Sequence, residues 1–453
     1  MTSMLRTCHF LLPVLLASTS VFAAEDVRCH VGTYQLEDGG GIVAIGAVSE
    51  ASQLRWRRID GRTGLLRRDG DGAWTSTLGW TDRADGVAVG FGRCGEQRIS
   101  FESHAGKRLT FDVTDTTFEG NGVTLRGRLV LPEGDGRVPV VVEVHGSESY
   151  SAVDLNYMQQ LFPAQGVGVF VYDKRGTGQS TGSYTQDFQL LADDAKAALL
   201  EARRLAGERA GRIGFHGASQ GGWVAPLAAS TAPAAQFVLV AYGMATDPLA
   251  EDRDQVMLDL RKAGYGDDVL ARAREVTEAT ASVVASRGAR GWEQLDVVRA
   301  KYAGEPWWPA MQGEFTGMVA HHTRAEVEAI APTVEVGTSW DYDPMPVLRA
   351  LAIPQLWIIA GADSEAPPEE TMRRLQALAA EGRPITTQVF PGTDHGIVAF
   401  ETGADGERME TGYADGYFRM MADWLRDGRL APGAYGNAQL LAAPSAPAAP
   451  ASP

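Results

Sequence analysis

The chain has 453 residues, 44% of them hydrophobic and 22% charged, an ordinary globular balance with ample length for a large core. Acids outnumber bases 57 to 41, a net charge of −16, and the two signs are interspersed, which excludes a basic footprint for nucleic acid or anionic lipid. No run of about 18 apolar residues exists, so a membrane-spanning helix is excluded too.

Residues 1–23 read as a signal peptide. Arg6 supplies the positive start, an apolar run extends from Phe10 to Val21, and Val21 and Ala23 are the small residues before a cut ahead of Ala24-Glu25. The alternative is a buried N-terminal helix, against which stand Pro13 and the abrupt change to Glu25-Asp26. Cleavage removes Cys8 and leaves Cys29 and Cys94, and two cysteines in a chain exported to a periplasm or the medium suggest one disulfide. Two free buried thiols are the alternative.

Residues 24–105 carry short strand patterns at 41–45, 53–57 and 86–91, divided by Gly and Asp turns, and predict a β-rich accessory domain. Strand patterns continue at 109–113 and 123–131. From 138 the character changes. Residues 138–144 and 167–172 are near-continuous apolar runs, as expected of strands covered on both faces. Helical spacing follows at 187–205, a strand at 212–216 and a helix at 222–230. Further buried strands are read at 237–241, 355–360 and 386–390, with amphipathic helices at 368–380 and 413–425. This alternation predicts a mostly parallel sheet flanked by helices, built from 106–246 and 341–431. Residues 247–340 show helical spacing alone and read as a cap inserted between two strands. The Ala/Pro-rich stretch 432–453 reads as a disordered tail.

Two stretches match Gly-x-Ser-x-Gly, one around Ser180 and one around Ser219. A nucleophile elbow needs its serine on a tight turn between a strand and a helix, where the hydroxyl protrudes and helix-start amides face it. Ser219 satisfies this, between the strand ending at His216 and the helix opening at Gly222. Seven residues separate Ser180 from the end of the 167–172 strand, with more loop after it, and it reads as a Gly-rich turn. A serine needs a base, and the base an orienting acid. Of the eight histidines, only His321, His322 and His395 follow Ser219. The first two lie in the cap, whereas His395 lies in a loop after the 386–390 strand and is the predicted base. Asp363, after the 355–360 strand, is the predicted acid. Glu365 and Asp394 are rivals, Asp394 better suited to capping its loop. The backbone N–H of Gln220 and that of Ser147, in the loop after 138–144, are the candidate oxyanion donors. The chain has no Cys-x-x-Cys, His-Glu-x-x-His or Cys/His cluster, so no metal site is expected, and Thr181 breaks a dinucleotide reading of Gly176-Thr177-Gly178. No cofactor is expected.

Together, His145-Gly146-Ser147, the segment from Asp173 to Ser180, Gly217–Gly222, Gly361-Ala362-Asp363 and Gly392–Gly396 resemble the α/β-hydrolase superfamily. The resemblance is to its serine aminopeptidase-like and prolyl-oligopeptidase-like branch, which includes many esterases. It spans residues 105–428 and implies a structural role for the Asp-x-Arg-Gly-x-Gly-x-Ser loop. The chain departs from the prolyl oligopeptidases in having too little sequence before the core for a propeller.

The expected function is an exported serine hydrolase cleaving carboxylic esters through an acyl-enzyme, on a small-molecule or peptide substrate. A peptidase or amidase with the same triad is the alternative. A thioesterase or acyltransferase, and a non-catalytic binding protein, stand further behind. Trp307, Trp308 and Met311 are candidates for an apolar pocket under the cap, or for packing the cap on the core.

Overall fold

The computed structural model describes residues 27–442 apart from 70, 335 and 434. The proposed signal peptide and the end of the tail lie outside the described residues.

The N-terminal strands are β1 (Gly32–Leu36), β2 (Gly41–Ala47), β3 (Gln53–Arg57), β4 (Thr63–Arg68), β5 (Trp74–Leu78), β6 (Val89–Phe91), β7 (Arg98–Phe101) and β8 (His104–Arg108). They form a closed antiparallel barrel in sequence order, with β8 returning to β1. Closure leaves no edge strand open, and Tyr34, Val43, Ile45, Leu54, Trp56, Leu66 and Phe101 fill its core. Residues 86–88, expected in a strand, are irregular chain ahead of β6, where the Asp85 carboxylate accepts from the Val87 N–H at 2.8 Å. Cys29 and Cys94 are disulfide-bonded. The sequence separation of 65 makes the bond worth about 4 kcal/mol by loop-closure entropy.

The core strands are β9 (Phe111–Glu119), β10 (Thr124–Pro132), β11 (Val138–Val144), β12 (Gly168–Tyr172), β13 (Ala210–Ala218), β14 (Val238–Ala241), β15 (Gln355–Ala360) and β16 (Ile385–Phe390). The short β17 (Thr393–Asp394), β18 (Val398–Thr402) and β19 (Arg408–Tyr413) form a separate three-stranded sheet, and β20 (Gln439–Leu440) ends the described chain. The main sheet has the order β20-β16-β15-β14-β13-β11-β12-β10-β9. It is parallel from β16 to β12 and antiparallel at both flanks.

The helices before the cap are α1 (Ala152–Leu155), α2 (Met158–Leu161), α3 (Phe188–Ala206) and α4 (Gly221–Thr231). Those of the cap are α5 (Pro248–Lys262), α6 (Asp267–Ala285), α7 (Trp292–Tyr302), α8 (Thr316–His321) and α9 (Arg324–Val334), and α10 (Met345–Ala350), α11 (Glu369–Ala380) and α12 (Tyr417–Asp427) follow. Alternation along the strands divides the apolar side chains between two layers. Val140, Val142, Trp357 and Ile359 pack with α3, α4 and α11, whereas Val141, Leu356 and Ile358 pack with α2 and α12. This is the α/β-hydrolase architecture, with a helical cap between β14 and β15 and a small β-rich domain in front.

Two further sequence expectations differ from the structure. The tail from 432 is not disordered throughout, since β20 pairs antiparallel with β16 and the buried Tyr435 hydroxyl donates to Asp423 at 3.1 Å. Backbone pairing on an open sheet edge needs no apolar pattern, so composition did not reveal it. The helix expected from 413 begins at Tyr417, because Gly416 adopts φ +85° and 408–413 is strand.

The barrel packs on the β18–β19 hairpin, which follows His395. The Trp80 N–H donates to the Glu410 carbonyl and the Tyr413 N–H to the Gly61 carbonyl, both at 3.0 Å, and Arg83 pairs with Glu401 at 2.8 Å. No helix among the described residues is long and apolar enough to cross a membrane.

Candidate active site

Ser219 sits at the turn from β13 into α4 with φ +52°, in the left-handed region that a non-glycine residue enters only when its surroundings impose it. The surroundings here are backbone. A Cβ on Gly217 would lie 2.1 Å from the Gly221 carbonyl oxygen, and one on Gly221 would lie 2.0 Å from that of Val144. Only glycine fits at either place, and the serine between them is thrust outward.

The chain returns to this point twice. His395 begins a single 3-10 turn after β17, and its Nε2 stands 3.0 Å from Ser219 Oγ. Its Nδ1 stands 2.9 Å from Oδ2 of Asp363, in the turn after β15. Asp363 is buried, and its other oxygen accepts from the Glu365 and Ala366 N–H groups at 3.0 and 2.8 Å, which fixes the carboxylate plane. Asp394 takes no part in this chain of contacts. It accepts from the N–H groups of Ser364 and His395 and from Arg408, which also donates to the Ala362 carbonyl at 2.7 Å. The hairpin braced by the barrel thereby ties the Asp363 turn to the His395 turn.

Burial by itself lowers the pKa of His395. The hydrogen bond and charge of Asp363 outweigh it, helped by Glu365 and Glu251, and the imidazole is raised to about 9. A general base works as the neutral ring, so kcat/KM for a neutral ester should climb with pH toward 9, well above the range of an ordinary histidine. Glu365 Oε1 lies 3.8 Å from His395 Nε2. Glu365→Gln removes an anion that favours the imidazolium, and the acid limb should move down by roughly half to one pH unit. A pH–rate profile checks this, and an unmoved limb would refute the assigned cause.

The structure brings Ser219, His395 and Asp363 together, with Gln220 at the start of α4 and Ser147 in the exposed loop after β11. Among the described residues neither the Gln220 nor the Ser147 N–H donates to a protein acceptor. It does not bring Trp307, Trp308 or Met311 to the site. They are buried in the cap's own core with Tyr302, Leu295 and Val276. Large apolar residues at helical spacing close the core of a helical subdomain as readily as they line a pocket, and here they do the former. His321 and His322 contact the Met311 and Met318 carbonyls at 2.8 and 3.0 Å, inside the cap. Ser180 Oγ donates to the Asp173 carbonyl at 2.7 Å and accepts from the Arg126 N–H at 3.0 Å, a turn-forming role. The group Cys29, His30 and Cys94 has metal-ligand spacing, but both sulfurs are consumed by the disulfide.

Three features escaped sequence reasoning. The Tyr242 ring meets the His395 ring edge-to-face at 4.9 Å between centroids. A cavity of about 60 Å³, its lining including Glu143, His145, Tyr157, His216, Ala218 and Tyr242, lies beside the elbow, with His216 Nδ1 2.7 Å from Glu143 Oε2. Glu251 on α5 is half-buried near His395. Burial, opposed by the His395 charge and helped by Glu314, Glu365 and Asp363, raises its pKa to about 8. Only the glycine-framed turns carried a sequence signal, because these groups arrive from separate elements with no shared motif.

The sequence model of the X-Pro dipeptidyl-peptidase family, S15, matches residues 121–390, a span that includes Ser219 and Asp363 and stops just short of His395. Among solved structures, an esterase of Pyrococcus furiosus is 17% identical with a TM-score of 0.39, over 63% of this chain and 84% of its own. The acylaminoacyl peptidase of Pyrococcus horikoshii is 15% identical with a TM-score of 0.39, over 78% of this chain and 52% of its own, so this chain spans about half its length. A hypothetical protein from Pseudomonas aeruginosa is 15% identical with a TM-score of 0.39, over 71% of this chain and 94% of its own. No curated protein matches the chain.

Proposed function

Because the chain belongs to the X-Pro dipeptidyl-peptidase (S15) family, and so to the serine peptidase and esterase branch of the α/β-hydrolases, we propose that it hydrolyses carboxylic esters by acyl transfer to Ser219. The observation that carries this reading is the relay itself, Ser219 Oγ to His395 Nε2 at 3.0 Å and His395 Nδ1 to Asp363 at 2.9 Å. His395 takes the hydroxyl proton as Ser219 Oγ bonds to the ester carbon. The carbonyl oxygen becomes an oxyanion that the Gln220 and Ser147 N–H groups stabilise. Collapse breaks the bond to the alkoxy oxygen, and the imidazolium returns its proton to the departing alcohol. Water deprotonated by His395 then attacks the acyl-enzyme and releases the acid. Asp363 keeps the proton on Nδ1 and compensates the imidazolium charge throughout.

Peptide cleavage with the same residues is the second reading, and one observation favours it. Glu365 and Glu251 lie near His395 with Glu314 beside them, and none of the three has an Arg or Lys ion pair among the described residues. The charge of Glu365, joined by that of Glu251 above about pH 8, favours a substrate carrying positive charge, as a free amino group does. Initial rates on paired p-nitrophenyl esters and aminoacyl p-nitroanilides with matched acyl groups separate the two. We expect turnover of the esters with silent anilides, and anilide cleavage at comparable rates moves the protein to the peptidases. Export is part of the proposal and is supported by the oxidised Cys29–Cys94 pair, which suits a periplasmic or extracellular setting.

A further inference from the structure

The acyl-transfer mechanism leaves a buried lysine beside the site unused. Lys174 lies two residues beyond the end of β12 and is 3% exposed. Its ammonium donates to the Gly146 carbonyl oxygen at 2.6 Å and stands 5.1 Å from the centroid of the Tyr184 ring. No carboxylate pairs with it within salt-bridge distance among the described residues. Burial draws its pKa down to about 8, opposed by the charge of Glu148. An ammonium in such a place costs stability unless it serves the neighbouring group.

That neighbour is the loop of the proposed oxyanion hole. The Gly146 C=O and the Ser147 N–H belong to one planar trans peptide and point in opposite directions. A charge fixed on the carbonyl therefore fixes where the N–H aims and polarises it as a donor. The peptide lies beside the nucleophile, since a Cβ on Gly146 would fall 3.2 Å from Ser219 Cβ. The next carbonyl is held too, by the Tyr184 hydroxyl, which donates to the Ser147 oxygen. Gln186 Nε2 donates to the Tyr184 hydroxyl at 3.1 Å, and Thr338, beyond α9, donates to Gln186 Oε1 at 3.0 Å. Both sides of the loop are thus restrained, one by a charge and the other by a hydrogen-bonded strut reaching to the cap's return.

We propose that Lys174 is a positioning residue of the oxyanion hole, its ammonium orienting and polarising the Gly146–Ser147 peptide so that the Ser147 N–H meets the developing oxyanion. The inference rests on Ser147 as a donor in the proposed acyl transfer. It is tested with Lys174→Met and a matched pair of substrates, a p-nitrophenyl ester and its thionoester. Sulfur accepts hydrogen bonds poorly, so a working oxyanion hole prefers the oxygen substrate. In the parent protein the ester should be turned over much faster than the thionoester. Lys174→Met should lower kcat for the ester by roughly 10- to 100-fold with KM held within about twofold, and should compress the ester-to-thionoester ratio. A purely structural lysine predicts a lower Tm with kcat per folded molecule and the ratio unchanged, and that result overturns the proposal. A parent ratio near one removes the oxyanion reading itself, whatever Lys174→Met does, and the proposal falls with it. If Lys174→Met does not fold, Lys174→Gln retains a neutral donor without the charge and is judged by the same ratio.

Discussion

Ser219→Ala is expected to lower kcat/KM on p-nitrophenyl esters by about 10⁴-fold or more and to leave the fold unchanged. Alanine keeps the Cβ, so the elbow at φ +52° and the close approach of Gly217 to Gly221 persist. What is lost is the Ser219 oxygen, placed 3.0 Å from His395 Nε2, that would form the acyl bond. Residual rate would come from the oxyanion donors and binding alone. The comparison that gives the result its meaning is Ser180→Ala, in the other Gly-x-Ser-x-Gly match. That hydroxyl bridges the Asp173 carbonyl and the Arg126 N–H, so its removal should cost about 1 kcal/mol of stability with kcat little changed. Rates measured beside thermal unfolding distinguish the two serines. Full activity in Ser219→Ala would end the mechanism.

Asp363→Asn should lower kcat by about 10⁴-fold, although the substitution is nearly isosteric. The reason lies in which atom faces the ring. Oδ1 of Asp363 accepts from two backbone N–H groups, so asparagine will keep its oxygen there and turn its NH₂ toward His395 Nδ1. An NH₂ can only donate. Nδ1 must then be the unprotonated nitrogen, Nε2 carries the hydrogen, and the ring can no longer accept the Ser219 proton. The pKa of His395 should fall as well, since the hydrogen bond and charge of Asp363 are the main causes that raise it. A profile of kcat/KM over about pH 6 to 10 checks both consequences. Asp394→Asn serves as the contrast, because that carboxylate holds Ser364 and Arg408 and stands off the ring. If Asp394→Asn is the crippled variant and Asp363→Asn is active, the acid has been assigned to the wrong turn.

Much of the fold was legible because its signals are local. The β-branched run of β11 and the apolar β15 have the bounds expected from the sequence, since a strand buried on both faces is apolar at nearly every position, Glu143 and Gln355 being the polar members here. The elbow was legible from crowding, as only Gly217 and Gly221 allow the backbone to pass so closely around Ser219. The β18–β19 hairpin escaped notice because its burial is partial along both strands, which leaves no clean alternation to read. Trp307, Trp308 and Met311 show the converse difficulty. Their apolar character required burial, and the cap's own core met that requirement away from the catalytic turn.

By itself, then, the sequence determined what is encoded over a few residues: the apolar strands, the helical character of 247–340, the strained serine turn, and the two loops carrying an acid and a histidine. Tertiary structure decided everything that depends on distance. Ser219 and His395 are separated by 176 positions, and only the parallel order β13-β14-β15-β16 brings their turns to one edge of the sheet. The same placement sets the carboxylates of Glu251 and Glu365 near His395 and the Lys174 ammonium on the Gly146 carbonyl. Charge acts through space and follows the folded path, so the protonation of the base and the orientation of the oxyanion loop have no local signature in the chain.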